Sequence, residues 1–264
     1  GVMSYLPTYL QMVYGYSATA SGLLLVPITI GMLVSSILSG VLVSRTDRYK
    51  IYPVAGPLVA AGAAFWLSRL STTSPVWQIS AATFLMGAGI GLFFQLLVTV
   101  VQNALPAKHL GTATSGNNFF REVGVSLGAS LIGAAFSSGL TSSLADRIGA
   151  LAAGSDPTVL DSLARFGDAD TSSLTPALVN QLPAALRDAV ASSYADALLP
   201  IFGWMIPLFA ATAVIALFLP EVPLSRKNGM EQVADAEGAV AGEADGAGAA
   251  EGADGHAAER VGEQ

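Results

Sequence analysis

The sequence predicts an all-α integral membrane protein, and three observations carry this prediction. Hydrophobic residues make up 52% of the chain and charged residues only 12%, about half of the roughly 25% that soluble domains usually carry. Mean hydropathy is +0.57. Five stretches contain no charged residue, and each is long enough to cross a bilayer core as a helix of about 20 residues. They are residues 1–44, 51–68, 70–107, 123–145 and 197–220. Buried helices of a soluble protein rarely repeat at this length without a polar face.

Turn signals divide the two longest stretches. Tyr14-Gly15-Tyr16-Ser17 breaks the first, and the polar segment Ser71-Thr72-Thr73-Ser74-Pro75 precedes the helix in the third. Six transmembrane helices result, near residues 1–16, 21–44, 53–70, 77–101, 113–138 and 200–220. The first is short and begins at Gly1 without an initiating Met, a basic flank or a signal-peptide pattern. We therefore expect a natural N-terminal part to precede it.

The predicted domain organisation follows from these spans. Residues 1–138 hold five transmembrane helices, 139–199 form an extracytoplasmic loop, 200–220 form the last transmembrane helix, and 221–264 form an acidic tail. In the loop, Leu140, Leu144 and Ile148 are spaced as on short amphipathic helices, which would either cap the bundle or gate substrate. The tail, rich in Ala, Gly, Glu and Asp, is predicted to be disordered because it cannot bury enough apolar surface.

Charge placement predicts the orientation. One side of the predicted membrane holds six of the basic residues, whereas the short connections on the other side offer only Arg69. The six are Arg45, Arg48, Lys50, Lys108, Arg226 and Lys227. The positive-inside rule makes their side cytoplasmic, which predicts a multi-pass cell-membrane protein with a cytoplasmic C-terminus. Since 17 of the 19 acids lie in the outer loop and the tail, the net charge of -7 describes extramembrane segments and indicates no nucleic-acid partner.

The basic segment "GVLVSRTDRYK", residues 40–50, has a further pattern. It resembles the major facilitator superfamily loop signature G-x-L-x-D-R-x-G-R-K in its degenerate second copy. Ser44 stands where an acid is usual, and Asp47 where a glycine is usual. The matching positions are Gly40, Leu42, Arg45, Arg48 and Lys50.

Three other segments are similar to the last six helices of the fourteen-helix drug:proton antiporters of that superfamily. They are "YLPTYLQMVYGYSATASGLLLVP" (residues 5–27), "GAGIG" (87–91) and "LPAKHLGTATSGNNFFREVGVSLGASLIGAAF" (105–136). The resemblance implies that this chain is a C-terminal half-bundle and that the other half-bundle and two linker helices precede Gly1. It also implies a secondary multidrug exporter that moves hydrophobic small molecules by alternating access and is coupled to protons.

The resemblance further implies which residues contact substrate. Helices equivalent to the first, second, fourth and fifth spans line the central cavity in this superfamily. Candidate lining residues on them are Tyr5, Tyr9, Gln11, Gln95, Asn117 and Asn118. Aromatic faces with a few amides suit greasy, often cationic molecules, although ordinary packing is the alternative for each of these residues.

Arg121 and Glu122 lie within the fifth predicted span, where ionisable residues are expensive. Adjacent helical residues point about 100° apart, so we expect each to pair with another helix. Glu122 is then either a proton-coupling carboxylate or part of a cytoplasmic clamp between helices. The family's proton-linked acids usually lie in the other half, which favours the clamp.

The remaining motifs exclude other classes. No cysteine is present, and the two histidines lie in a predicted loop and the tail, so no metal or cofactor is predicted. "GAGIG" is not a nucleotide loop, because no strand precedes it and no lysine follows; Gly87, Gly89, Gly91, Gly124 and Gly128 are instead expected to permit close helix contact. An enzyme is not predicted. The competing function is a non-transporting or partner-assembled half-transporter.

Overall fold

The structure, a computed structural model, describes residues 1–46, 50–103, 109–153 and 175–218. Predictions for Asp47, Arg48, residues 154–174 of the outer loop and the acidic tail lie outside these residues. All regular structure in the described ranges is helical, as the sequence predicts. The helices are α1 (Val2–Tyr14), α2 (Ala18–Leu23), α3 (Val26–Thr46), α4 (Ile51–Ser68), α5 (Val76–Asn103), α6 (Leu110–Ala153), α7 (Pro176–Val179) and α8 (Ala184–Leu217).

The predicted break after α1 is present and has a local cause. Gly15 adopts the left-handed conformation at φ 68°, which a glycine reaches without a Cβ penalty and which ends a helix. Ser17 then begins α2, because its hydroxyl oxygen accepts a hydrogen bond from the Ala20 amide at 3.2 Å. The segment from Gly15 to Ser17 therefore forms the turn that the sequence indicates.

Glycines bring α5 into backbone contact with α3 and α4. A Cβ on Gly87 or Gly91 would overlap the α3 backbone at Ile28 or Met32, and one on Gly89 would lie 2.6 Å from the Gly56 carbonyl oxygen of α4. The expected role of these three glycines in close helix contact is thus confirmed. Such backbone proximity is how helices associate in a bilayer, where apolar burial gives little driving force.

Aromatic side chains join α1, α6 and α8. The Phe136 ring on α6 lies 5.1 Å from that of Tyr5 and 5.7 Å from that of Tyr194, measured between centroids. Leu6 and Leu10 of α1 are buried in the same core. α8 also packs along α4. It therefore links α4 with the core formed by α1 and α6.

The bounds of α6 and α8 differ from the predicted ones. α6 continues to Ala153, past the expected end at 138, and α8 begins at Ala184, before the expected start at 200. The two helices stay in contact beyond the predicted spans: Leu140 and Leu144 are buried, and Arg147 binds Asp196. Contacts between α6 and α8 stabilise these additional helical turns, and hydropathy alone does not predict such contacts.

Five described segments are long and apolar enough to cross a membrane: Ala18–Val43, Ile51–Ser68, Val76–Phe94, Gly111–Ala153 and Ala184–Leu217. These correspond to the second to sixth predicted spans. The first predicted span is instead a helix of 13 residues, shorter than the roughly 20 that a crossing requires. The residues fall into two units, a larger one with 1–99 and 117–221, and a smaller one that includes 100–116.

Candidate functional site

The two tyrosines predicted to contact substrate both pack against neighbouring aromatic rings. Tyr9 is fully buried at 0% exposure, with the Tyr14 ring edge-on at 6.1 Å. Tyr5 is half-buried against Phe136, and its hydroxyl lies over Gly133 of α6. Tyr5 therefore lies between α1 and α6, whereas Tyr9 is enclosed by its neighbours.

Two polar side chains near the end of α1 satisfy backbone groups. The Gln11 amide donates to the Pro7 carbonyl oxygen at 3.2 Å, and the Tyr14 hydroxyl donates to the Ser74 carbonyl oxygen at 2.8 Å. The second bond ties α1 to the connection between α4 and α5. The sequence did not predict this contact, because it identified Tyr14 only as part of a turn.

Asn117, Asn118, Arg121 and Glu122 form a polar patch on α6. Asn117 is half-buried and Asn118 exposed, and residues three or four apart on a helix share a face. The expectation that Arg121 and Glu122 pair with other helices was wrong, because the Arg121 guanidinium donates to Glu122 Oε1 at 2.9 Å. The long, flexible arginine side chain bridges the angle between neighbouring positions. Both side chains are exposed, at 47% and 65%.

The structure does not bring the candidate residues into one constellation. Tyr5 meets α6 at Gly133, fifteen residues along the helix from Asn118. At 1.5 Å per residue, these positions are about 23 Å apart. The aromatic contact and the α6 polar patch therefore lie at different levels of the bundle. The side chain of Gln95 lies outside the described part.

The structure describes the basic loop motif except at residues 47–49. Arg45 is exposed and Lys50 half-buried. Gly40 is also exposed, and a Cβ there would meet nothing within 4 Å. Within the described residues, no close helix contact is therefore made at Gly40. Asp47 and Arg48 lie outside the described residues.

Gly124 and Gly128 also depart from expectation. Neither would bring a Cβ within 4 Å of another described atom, because no described helix packs against this part of α6. Neighbouring large apolar side chains are correspondingly exposed, with Phe120 at 75% and Leu127 at 60%. Small residues at helical spacing indicate that another helix could pack closely against them. Among the described residues, no helix does so at Gly124 or Gly128.

An apolar groove between α6 and α8 was not predicted. It has a volume of about 490 Å³ and ends near Asp196, whose carboxylate pairs with Arg147. A signal for this pairing exists in the sequence. The uncharged stretch of α6 ends just before Asp146, and that of α8 begins just after Asp196, so the charged boundaries of the two helices coincide.

Comparison with known proteins agrees with this fold. The Major Facilitator Superfamily sequence model matches residues 1–129. An uncharacterized MFS-type transporter of Mycobacterium tuberculosis is 39% identical over 85% of this chain and 31% of its own length. A multidrug transporter protein of Bacillus subtilis is 29% identical over 88% of this chain and 45% of its own.

A tetracycline resistance determinant of Streptomyces rimosus is 31% identical over 50% of this chain and 38% of its own length. The chain thus spans roughly a third to a half of the length of these relatives. Their names agree with the resemblance to drug:proton antiporters, and the helices agree with a multi-pass membrane protein. The chain belongs to the major facilitator superfamily, with relatives among its drug transporters.

Proposed function

We propose that the chain forms the C-terminal half-bundle of a secondary exporter that moves hydrophobic small molecules by alternating access. The observation that carries the proposal is the similarity to a multidrug transporter protein over 88% of this chain. In such transporters one half-bundle rocks against the other around a site at the bilayer midplane. The substrate class and the proton coupling are part of the proposal.

The packing of α3, α4 and α5 suits such rocking. Gly87 and Gly91 place α5 against the backbone of α3, while Gly89 places it against α4. Ser36 adds a hydrogen bond across the first contact, from its hydroxyl to the Gly91 carbonyl oxygen at 3.3 Å. Packing this close cannot deform gradually, so the three helices would move as one body.

The α6 polar patch lies at the end of the uncharged stretch of α6, so it is a candidate for substrate contact at the mouth of the pathway and not at the midplane. Phe119 and Phe120 lie beside its amides and are 64% and 75% exposed. Aromatic faces attract hydrophobic cations, and nearby amides supply directional hydrogen bonds. A second half-bundle facing α6 would enclose these groups. Tyr5, about 23 Å away along α6, would then contact a different part of the pathway.

We assign Arg121 and Glu122 a structural role within this patch. The two charges neutralise each other, which lowers the free energy of holding either at the edge of the hydrocarbon core. On this proposal the proton-carrying acids lie outside the described helices.

Transport by cells that express every segment the gene encodes tests the function. Cells lacking their own exporters are loaded with ethidium, and its initial rate of loss is followed with and without an uncoupler. We expect export above that of cells with an empty vector, and the uncoupler should abolish it. Export no faster than the vector control would contradict the proposal and favour a non-transporting membrane protein.

Replacing both loop arginines tests the basic motif. The variant Arg45→Gln/Arg48→Gln should export several-fold more slowly while reaching the membrane in normal amount, because the motif belongs to the moving cytoplasmic machinery. Arg69→Gln is the matched control, since Arg69 is an exposed cation at the other end of α4. Equal rates in the two variants would show that the motif only orients the bundle.

A further inference from the structure

The groove between α6 and α8 is a site separate from the polar patch. The part contributed by α6 includes Leu131, Ala135 and Ser138, and the part contributed by α8 runs from Asp196 past Trp204 to Leu208. Its walls are open to the surroundings, since Leu131 is 71%, Trp204 81% and Leu208 67% exposed. We call this feature the α6–α8 groove.

One end of the α6–α8 groove carries opposite charges. The Arg147 guanidinium donates to Asp196 Oδ2, and the Ser143 hydroxyl donates to the same oxygen at 3.4 Å. Both charged side chains keep substantial exposure, at 42% and 54%. An incoming group can therefore reach the free edge of the guanidinium and the second carboxylate oxygen without first breaking the pair.

The charged end coincides with the boundary of the apolar region. No charged residue occurs between Glu122 and Asp146 on α6, or after Asp196 in the described part of α8. At 1.5 Å per residue the 23 residues of that α6 stretch cover about 34 Å, enough for a hydrocarbon core of about 30 Å. Arg147 and Asp196 thus sit where the hydrocarbon meets the headgroups.

The dimensions of the α6–α8 groove match a lipid tail. Asp196 and Leu208 are twelve residues apart, which gives about 18 Å along α8, close to one leaflet of about 15 Å. The groove has a volume of about 490 Å³, and a flexible hydrocarbon chain can follow its length.

We propose that the α6–α8 groove binds one phospholipid with an ammonium-bearing headgroup. Its acyl chain lies along Leu131, Trp204 and Leu208, its phosphate binds Arg147, and its ammonium donates hydrogen bonds to Asp196. Phosphatidylethanolamine meets these requirements. Phosphatidylcholine has no N–H to donate, and phosphatidylglycerol has no cation for Asp196. The proposal requires only insertion of the chain in a bilayer and does not depend on transport.

Native mass spectrometry of the purified chain, released from detergent with defined lipids, tests the acyl-chain contact. Ala135 is exposed and lines the groove, whereas its neighbour Ala134 is also exposed but is not among the lining residues. Ala135→Trp should fill the groove and lower retention of phosphatidylethanolamine several-fold, while Ala134→Trp should not. Both variants are checked for helicity and monodispersity. Equal retention by the two would overturn the proposal.

Headgroup preference is tested with phosphatidylethanolamine, phosphatidylcholine and phosphatidylglycerol of identical acyl chains. Asp196→Asn should weaken phosphatidylethanolamine binding about tenfold, the effect of losing a charge-assisted hydrogen bond, and should erase the preference for it. Asp188→Asn, on an exposed acid eight residues earlier in α8, is the control. An unchanged preference in Asp196→Asn would refute the assigned headgroup contact.

The competing occupant is a protein helix from a segment outside this chain. A photo-crosslinking amino acid at Trp204, introduced into the protein with every segment its gene encodes, distinguishes the two in native membranes. Adducts with the mass of a phospholipid support the proposal. Crosslinks only to polypeptide would overturn it, whatever the result of the transport assay.

Discussion

Tyr9 and Tyr14 lie five residues apart on the same short helix, yet their hydroxyl groups have opposite surroundings. The Tyr14 hydroxyl donates to the carbonyl oxygens of Ser74 and Ser71, at 2.8 and 3.3 Å. The Tyr9 hydroxyl is buried and has no hydrogen-bond partner within the described ranges. An unmade buried hydrogen bond is unfavourable, whereas a made one is modestly stabilising.

Removing each hydroxyl should therefore shift stability in opposite directions. Tyr14→Phe should destabilise the protein by about 0.5–1.5 kcal/mol, the net contribution of a typical hydrogen bond. Tyr9→Phe should be neutral or slightly stabilising, because it deletes an unsatisfied polar atom. Thermal unfolding of the two variants in one detergent measures both effects. A larger loss in Tyr9→Phe would show that its hydroxyl has a partner, such as water.

At the scale of residues, the sequence predicted which residues are unusual but did not predict which of them pair with each other. Arg121 and Glu122 were identified as unusual because charge near the hydrocarbon core is rare. Their pairing with each other depends on side-chain rotamers. The angle of about 100° between adjacent helical positions does not take these rotamers into account. Likewise, the aromatic character of Tyr9 was compatible with lining or packing, and only its neighbours decide between these roles.

At the scale of helices, the same residue type has two different effects. Gly89 lies against the α4 backbone, where a Cβ would approach the Gly56 carbonyl oxygen and the Ala60 amide nitrogen to 2.6 Å. Gly124, on α6, has open space in the described structure. Helical spacing of glycines thus marks faces that permit contact, and the fold selects which of them are used.

Adding one methyl group at each glycine tests this difference. Gly89→Ala should destabilise the bundle by about 1–3 kcal/mol, because backbone atoms cannot move aside as a side-chain end can. Gly124→Ala should be neutral or stabilising by up to about 1 kcal/mol, through the higher helix propensity of alanine. Unfolding of both variants and the wild type in one denaturant series gives the comparison. Matched losses in the two variants would mean that α6 is also closely packed at Gly124.

At the scale of the whole molecule, the positions of the basic residues predict which side of the membrane is cytoplasmic. The two ends of α4 allow this orientation to be tested. α4 connects the basic segment around Arg45 and Lys50 with the polar turn at residues 71–75. If the first end is cytoplasmic, the second must be extracytoplasmic. The sequence contains no cysteine, so an introduced thiol reports its own position without background.

We predict that Ile51→Cys and Thr73→Cys, both at exposed positions at opposite ends of α4, react from opposite sides. A membrane-impermeant maleimide added to intact cells should label Thr73→Cys, and Ile51→Cys should be labelled only in inverted vesicles. The positive-inside rule is the physical reason. The reverse pattern would place the basic segment outside and contradict the cytoplasmic assignment.

The sequence by itself determined the helical class, the second to sixth spans and the turn at Gly15. These depend on hydropathy, length and local backbone preference, which are properties of short segments. The tertiary structure alone decided how far α6 and α8 extend, which glycines make contact and where Tyr9 lies. It also created the α6–α8 groove. Each of these depends on which helix lies beside which, and in a bilayer close packing rather than apolar burial selects the neighbours.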